Sequence, residues 1–223
     1  MEETLDILER YLQEDHNHIV LTPNPEGVMQ ARRNKDVLAA FVGADLSLAD
    51  GIGILLAAKF TKQKIPCRVR GVDTIFALCN RMAQKNKKLA AYFYGAKPGV
   101  AKRAKANIES MYPNVEVVGY THGFEKDDSK VINDVNVLSP DIVLVCTGMP
   151  RAELWSTKNR NINTRVTMCL GGTLDIMAGD IKLAPSFLRK IGLEWLYRLV
   201  TQPTRAKRML DIPRFMFAVV FGQ

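Results

Sequence analysis

The chain lacks any apolar run able to cross a bilayer. Roughly 20 residues are needed, and the longest candidate, Phe215–Phe221, is far shorter. The opening MEETLDILERYLQED is acidic and amphipathic, not basic followed by apolar, and is not expected to act as a signal peptide. No CxxC is present. The four cysteines, Cys67, Cys79, Cys146 and Cys169, are widely spaced, and the last three sit among apolar residues. That pattern predicts reduced core thiols in a cytoplasmic protein. Two phosphate-binding fingerprints fail. GxxxxGK[ST] breaks at Val100 after Gly99, and GxGxxG breaks at Leu56, where the third glycine would fall. There is no DxD-like pair with a metal position, so no metal is expected. Internal repeats, low-complexity tracts and long linkers are absent too, which excludes a solenoid.

What remains is an ordinary globular composition, 47% apolar and 24% charged over 223 residues, enough for one full core. The charge is less ordinary. The net is +8, and residues 182–223 carry eight basic side chains against Glu194 and Asp211, a net of +6. A basic C-terminal segment implies an anionic partner: a phosphate ligand, a membrane surface or nucleic acid.

Short apolar strands alternate with amphipathic helices. Residues 2–14 read as a helix with Leu5, Leu8 and Leu12 on one side. His18–Leu21 is a buried strand stopped by Pro23 and Pro25. A helix spans 26–41, a second strand holds Leu46, Leu48 and Ala49, and a helix follows from Ile52 to Phe60. Residues 72–85 form another helix, with apolar residues at i, i+3, i+4 and i+7. Strands follow at 89–94, 115–119, 141–145 and 166–170, with helices from 100 and over 127–138. This alternation predicts an α/β fold: a Rossmann-like, mostly parallel sheet of about six strands flanked by helices, residues 1–180. A basic helical appendage, residues 181–223, follows.

In such a sheet the polar loops after successive strands share one edge, where open α/β sheets bind ligands. Thr22 and Asn24 lie in the first loop and Asp50 in the second, so a hydroxyl, an amide and a carboxylate can meet in one crevice. Taken singly, Asp50 also suits an N-cap of the following helix, and Thr22 and Asn24 suit turn residues. The loop Gly95-Ala96-Lys97-Pro98-Gly99 precedes a helix N-terminus and forms a generic anion site. Asp175 is either a partner for a ribose hydroxyl or a helix cap. His122 is either a ligand contact or a turn residue. His16 and His18 share one strand face, but no carboxylate or cysteine cluster is read with them, so they are taken as surface or loop histidines. The tail interleaves arginines with Phe187, Trp195, Tyr197, Phe215 and Phe217. That suits stacking on RNA bases or an anionic bilayer surface.

Several stretches resemble one family. TPNPE and LADGIG at the first two loops, Arg68–Asp73 (RVRGVD), GAKPGVA, the HGF turn at His122, the GMP of Gly148–Pro150, GGTLD at 171–175 and GLEWLYRL in the tail are similar to the WecG/TagA/CpsF glycosyltransferases. The resemblance covers nearly the whole chain. Ala152 stands where that family carries Gln. The resemblance implies an inverting, metal-independent transferase with no cofactor. It would move N-acetylmannosamine or a related sugar from a UDP donor to an undecaprenyl-diphosphate-linked N-acetylglucosamine, in surface polymer synthesis of the wall teichoic acid type. It implies Asp50 as base, with Thr22 and Asn24 orienting the sugar and hydroxyl. Substrate contacts would come from Arg68, Gly95, Lys97, Pro98, Gly99, His122, Gly148, Pro150, Gly172 and Asp175, and from the tail arginines Arg198, Arg205 and Arg208. It further implies peripheral attachment to the inner face of the cytoplasmic membrane, a homo-oligomer and no nucleic-acid partner. Two other classes compete. A nicotinamide oxidoreductase is opposed by the broken GxGxxG, and a noncatalytic RNA-binding protein by the LEWLYRL match.

Overall fold

The structure, a computed structural model, describes residues 1–201 and 210–222, without the side chains of Lys190 and Arg198. Arg205 and Arg208 therefore lie outside the described residues, and of Arg198 only the backbone is described. The described strands form one six-stranded sheet, β1 (His18–Leu21), β2 (Leu46–Ser47), β3 (Leu89–Gly95), β4 (Val115–Thr121), β5 (Ile142–Cys146) and β6 (Val166–Cys169), in the order β2-β1-β6-β5-β3-β4. Every pairing is parallel, as the α/β reading expects.

Each central strand is apolar on both sides because helices cover both faces. One face carries Val20, Phe93, Ile142, Leu144 and Met168, packed with Leu5, Leu8, Ile75, Leu78 and Ile108. The other carries Ile19, Leu21, Tyr92, Tyr94, Val143 and Val145, packed with Val131, Val135 and Trp155. A fully buried Val, Leu or Ile stabilises by about 1.5–3 kcal/mol, so β5, buried along its whole length, anchors the sheet. Two tyrosines interrupt the apolar second face, and both hydroxyls are satisfied. Tyr92 donates to Asp134 at 3.0 Å and Tyr94 to Asp128 at 2.5 Å. Burial pushes both phenol pKa values up.

The helices are α1 (Glu2–Tyr11), α2 (Pro25–Arg33), α3 (Lys35–Val42), α4 (Ile52–Phe60), α5 (Gly71–Gln84), α6 (Val100–Met111), α7 (Ser129–Leu138), α8 (Arg151–Lys158), α9 (Thr173–Met177), α10 (Ser186–Lys190), α11 (Glu194–Thr201) and α12 (Asp211–Phe221). The expected single helix over 26–41 is two. Asn34 takes an extended backbone, and its Oδ1 accepts from the N–H groups of Asp36 and Val37, capping α3. α1 stops at Tyr11 rather than 14. β2 keeps only two ladder residues, although Leu48 still donates its N–H to Leu21 at 2.8 Å.

The chain leaves β3 toward β4 and β5 toward β6, in opposite directions along the sheet. A crevice at the strand ends follows from that reversal. Between the ends of β3 and β5, a Cβ on Gly95 would fall 2.3 Å from the Cys146 carbonyl carbon. Only glycine permits this approach, and Gly95 also holds φ at +142°.

Candidate active site

The loops after β1, β2, β5 and β6 surround a cavity of about 410 Å³, within the usual size for small-molecule sites. Thr22, Asn24 and Pro25 come from the first loop, Asp50 to Gly53 from the second, Thr147 to Met149 from the third, and Gly171, Gly172 and Asp175 from the fourth. Glu194, Trp195, Ile212 and Met216 line it from the C-terminal segment. α12 packs on α2 and α4. Four helix N-termini, those of α2, α4, α8 and α9, open onto the cavity. Their backbone N–H groups and dipoles favour an anion there.

Gly51 is the N-cap of α4, at φ +105°, so Asp50 stands one residue outside it. Its side chain is one-third exposed, lines the cavity and faces Arg68 Nη2 at 3.8 Å. Asp175 is likewise past the cap, which falls on Gly172. Asn24 is a true cap, since its Oδ1 accepts from Gly27 N–H at 2.9 Å. Its carboxamide N–H groups are two further donors on a residue that lines the cavity. Thr22 donates its hydroxyl to the Cys169 carbonyl at 3.0 Å, tying β1 to β6, and keeps its lone pairs for accepting. A Cβ on Gly71 would lie 2.7 Å from Thr22 Cγ2 and 2.5 Å from Leu170 Cδ2. α5 must therefore begin with glycine for Thr22 to keep its place.

Arg68 lines the cavity but is also a structural anchor. It donates to Glu194 Oε2 at 2.8 Å and to the Arg189 carbonyl at 3.2 Å. Arg70 grips the same carboxylate with Nε at 3.1 Å and Nη2 at 3.1 Å. Glu194 thus joins the cavity wall to the C-terminal segment. A second tie lies outside the cavity, where Arg33 holds Asp211 with two bonds, 3.0 and 2.7 Å. These bonds, with help from Arg214, keep the Asp211 carboxyl below its ordinary pKa.

Seven expected site residues, Thr22, Asn24, Asp50, Arg68, Gly148, Gly172 and Asp175, share the cavity, as does Ala152. Gly95, Lys97, Pro98, Gly99, His122 and Pro150 do not line it. The 95–99 loop lies at the β3 end, and Gly123 donates its N–H to the Ala96 carbonyl at 2.8 Å, which ties this loop to the His122 turn. Arg151 fixes that turn, donating to Tyr94, Gly123 and Glu125. Sequence reasoning missed Thr147, whose Oγ1 is buried without a hydrogen-bond partner and whose residue lines the cavity. It also missed the lining from Glu194, Trp195, Ile212 and Met216. No local spacing signals these: Glu194, for one, meets Arg68 across 126 positions.

Cysteine chemistry is confined to one position. Burial pushes the Cys79 and Cys146 thiols up to about 12 and Cys169 well above its ordinary value, whereas Cys67 is exposed. Thiolate is the reacting form. Ellman's reagent at pH 8 is therefore expected to titrate one thiol in the native protein and four after guanidinium unfolding. More than one fast native thiol would show that the core thiols are reachable.

A parallel, doubly covered sheet with a loop-lined, anion-favouring cavity at the carboxyl ends of its strands is the architecture of a nucleotide-binding α/β protein. Comparison with known proteins narrows this. The model of the glycosyl transferase WecG/TagA/CpsF family matches residues 1–223, and the chain belongs to that family. It is 35% identical over 211 residues to the N-acetylglucosaminyldiphosphoundecaprenol N-acetyl-beta-D-mannosaminyltransferase of Bacillus spizizenii, covering 94% of this chain and 81% of the relative. It is 33% identical over 218 residues to the protein of the same name in Bacillus subtilis, 97% and 84%. With the Staphylococcus aureus protein of that name it shares 30% over 209 residues, 93% and 81%. The chain is thus a glycosyltransferase.

Proposed function

We propose that this enzyme transfers N-acetylmannosamine from a UDP donor to N-acetylglucosamine carried on undecaprenyl diphosphate, inverting the anomeric centre without a metal. The names of the relatives support the sugar and the acceptor. The observation that carries the mechanism is the Asp50 carboxylate, outside the helix cap and lining the cavity. The acceptor hydroxyl oxygen attacks the anomeric carbon as the bond from that carbon to the UDP oxygen breaks. The hydroxyl proton passes to Asp50, and UDP leaves with the bonding pair. A carboxylate is a weak base, but it need only accept the proton as it is lost in the transition state. Thr22 and Asn24 orient sugar and hydroxyl. Charge growing on UDP is met by backbone N–H groups at the helix N-termini and by Arg68.

The lipid acceptor calls for contact with a membrane surface. Among the described residues no helix is long and apolar enough to cross a membrane. Support for a peripheral mode comes from α12, within the basic C-terminal segment, where Phe217 and Phe221 are exposed with ring centroids 4.8 Å apart. The test is transfer from a panel of UDP-sugars to a short-chain lipid-diphosphate N-acetylglucosamine with EDTA present. UDP-N-acetylmannosamine is expected to give disaccharide-lipid and stoichiometric UDP. Transfer only from another UDP-hexose would overturn the sugar assignment, and loss of turnover in EDTA the metal-free mechanism.

A further inference from the structure

We propose that Glu14, His16 and His18 form a binding site for a borderline divalent cation of the Zn²⁺ class. The sequence shows the two histidines but hides the third ligand. Glu14 lies in the turn after α1, which carries its carboxylate back over both imidazoles. Its Oε2 is 2.8 Å from His18 Nε2 and 3.6 Å from His16 Nε2. All three ligand atoms lie within 4.8 Å of one another. Tetrahedral zinc at its usual bond lengths sets ligand atoms roughly 3.3 Å apart, and the two measured separations bracket that value. The expectation that no carboxylate accompanies these histidines is therefore corrected: the chain reversal after α1 supplies one.

The site is built rather than incidental. His18 is the first residue of β1 and its side chain is only 7% exposed. Its ring lies flat on Tyr11, centroids 3.7 Å apart and planes within 2°. His16 lies in the bend before β1 and sets its ring beside that of His18, centroids 4.1 Å apart. Arg165 holds the turn in place by donating to the Glu14 carbonyl at 2.5 Å and to Asp15 at 2.9 Å. Arg10 stands 3.7 Å from the other carboxylate oxygen of Glu14. That cation lowers affinity but leaves Oε2 to the metal. Two imidazoles select zinc-class ions over Mg²⁺ and Ca²⁺, which take oxygen ligands. Binding through Nε2 uses the neutral form of each ring, with its proton on Nδ1.

The site sits at the amino end of β1, and Thr22 in the cavity follows its carboxyl end, roughly 13 Å away at the strand rise. A cation here takes no part in transfer. It clips the turn after α1 onto the sheet. The test uses tag-free, EDTA-stripped full-length protein in a Cys67→Ser background, titrated with ZnCl₂ by calorimetry and by thermal melting. One saturable equivalent is expected, with Tm rising roughly 5–10 °C at a hundredfold excess over Kd and no rise with MgCl₂. His16→Ala, at an exposed ring, should leave the metal-free Tm unchanged and abolish both saturable binding and the zinc shift. Absence of one-equivalent binding, or equal binding by His16→Ala, would overturn the proposal.

Discussion

Asp50→Asn lowers kcat by about 10²–10⁴-fold, the range of a lost general base, and leaves the affinity for UDP nearly unchanged. The substitution keeps shape and volume and removes only the ability to take a proton. Arg68, the nearest described cation at 3.8 Å, keeps its bonds to Glu194 and to the Arg189 carbonyl, so the cavity wall does not collapse. UDP has no reacting hydroxyl and should not sense the change, whereas the transition state loses its proton acceptor. The measurement is a pair: steady-state transfer with saturating donor, and calorimetric UDP binding. A variant that loses UDP affinity and kcat together would make Asp50 a structural residue of the loop after β2. Unchanged kcat would move the base elsewhere, and Asp175, in the same cavity, would be tested next.

What the sequence made legible were features with short range. Apolar runs marked all six strands, and their parallel arrangement put Thr22, Asn24 and Asp50 at one edge, while Gly148, Gly172 and Asp175 were marked only by the resemblance to the family; all six line the cavity. Placing the first three needs only strand polarity. Three things stayed hidden, each for a physical reason. The break between α2 and α3 rests on Asn34 turning its side chain onto backbone N–H groups, a local choice that helical periodicity overrides on paper. The displacement of the 95–99 loop from the cavity depends on strand order, because β3 lies beyond β5 from β1. The triple role of Arg68, facing Asp50, Glu194 and the Arg189 carbonyl, depends on how the C-terminal segment folds back. The converging Glu14 belongs with these: it lies only two and four residues from the histidines, yet a turn rather than a helix sets its direction.

The second large effect is expected at Glu194. Its side chain is 8% exposed and is held by Arg68 and by both forks of Arg70, itself 7% exposed. Glu194→Gln keeps the shape but leaves two guanidinium groups facing each other without a carboxylate between them. Removing one partner of a buried ion pair costs about 3–5 kcal/mol, because the remaining charge stays desolvated. The protein has an inexpensive escape. If α11 and the segment around it lift away, both arginines regain water and the sheet is untouched. The penalty therefore appears as local opening rather than global unfolding, shifting the docked-to-undocked ratio by a factor of roughly 10²–10⁴. Tm should change little. Tryptic cleavage after Arg189 and beyond should accelerate, and transfer should fall with the undocked fraction, since Trp195, Ile212 and Met216 leave the cavity wall with the segment. A double variant, Arg70→Leu with Glu194→Leu, separates charge from contact. It removes the stranded cation at Arg70 and fills the gap with apolar atoms, while Arg68 keeps the Arg189 carbonyl and Asp50 at 3.8 Å, so the penalty is relieved in part. Its cleavage rate should return toward that of the unmodified protein. If Glu194→Gln instead leaves cleavage and transfer unaltered, the carboxylate does not hold the segment, and the bidentate Arg33–Asp211 pair on α12 becomes the tie that matters.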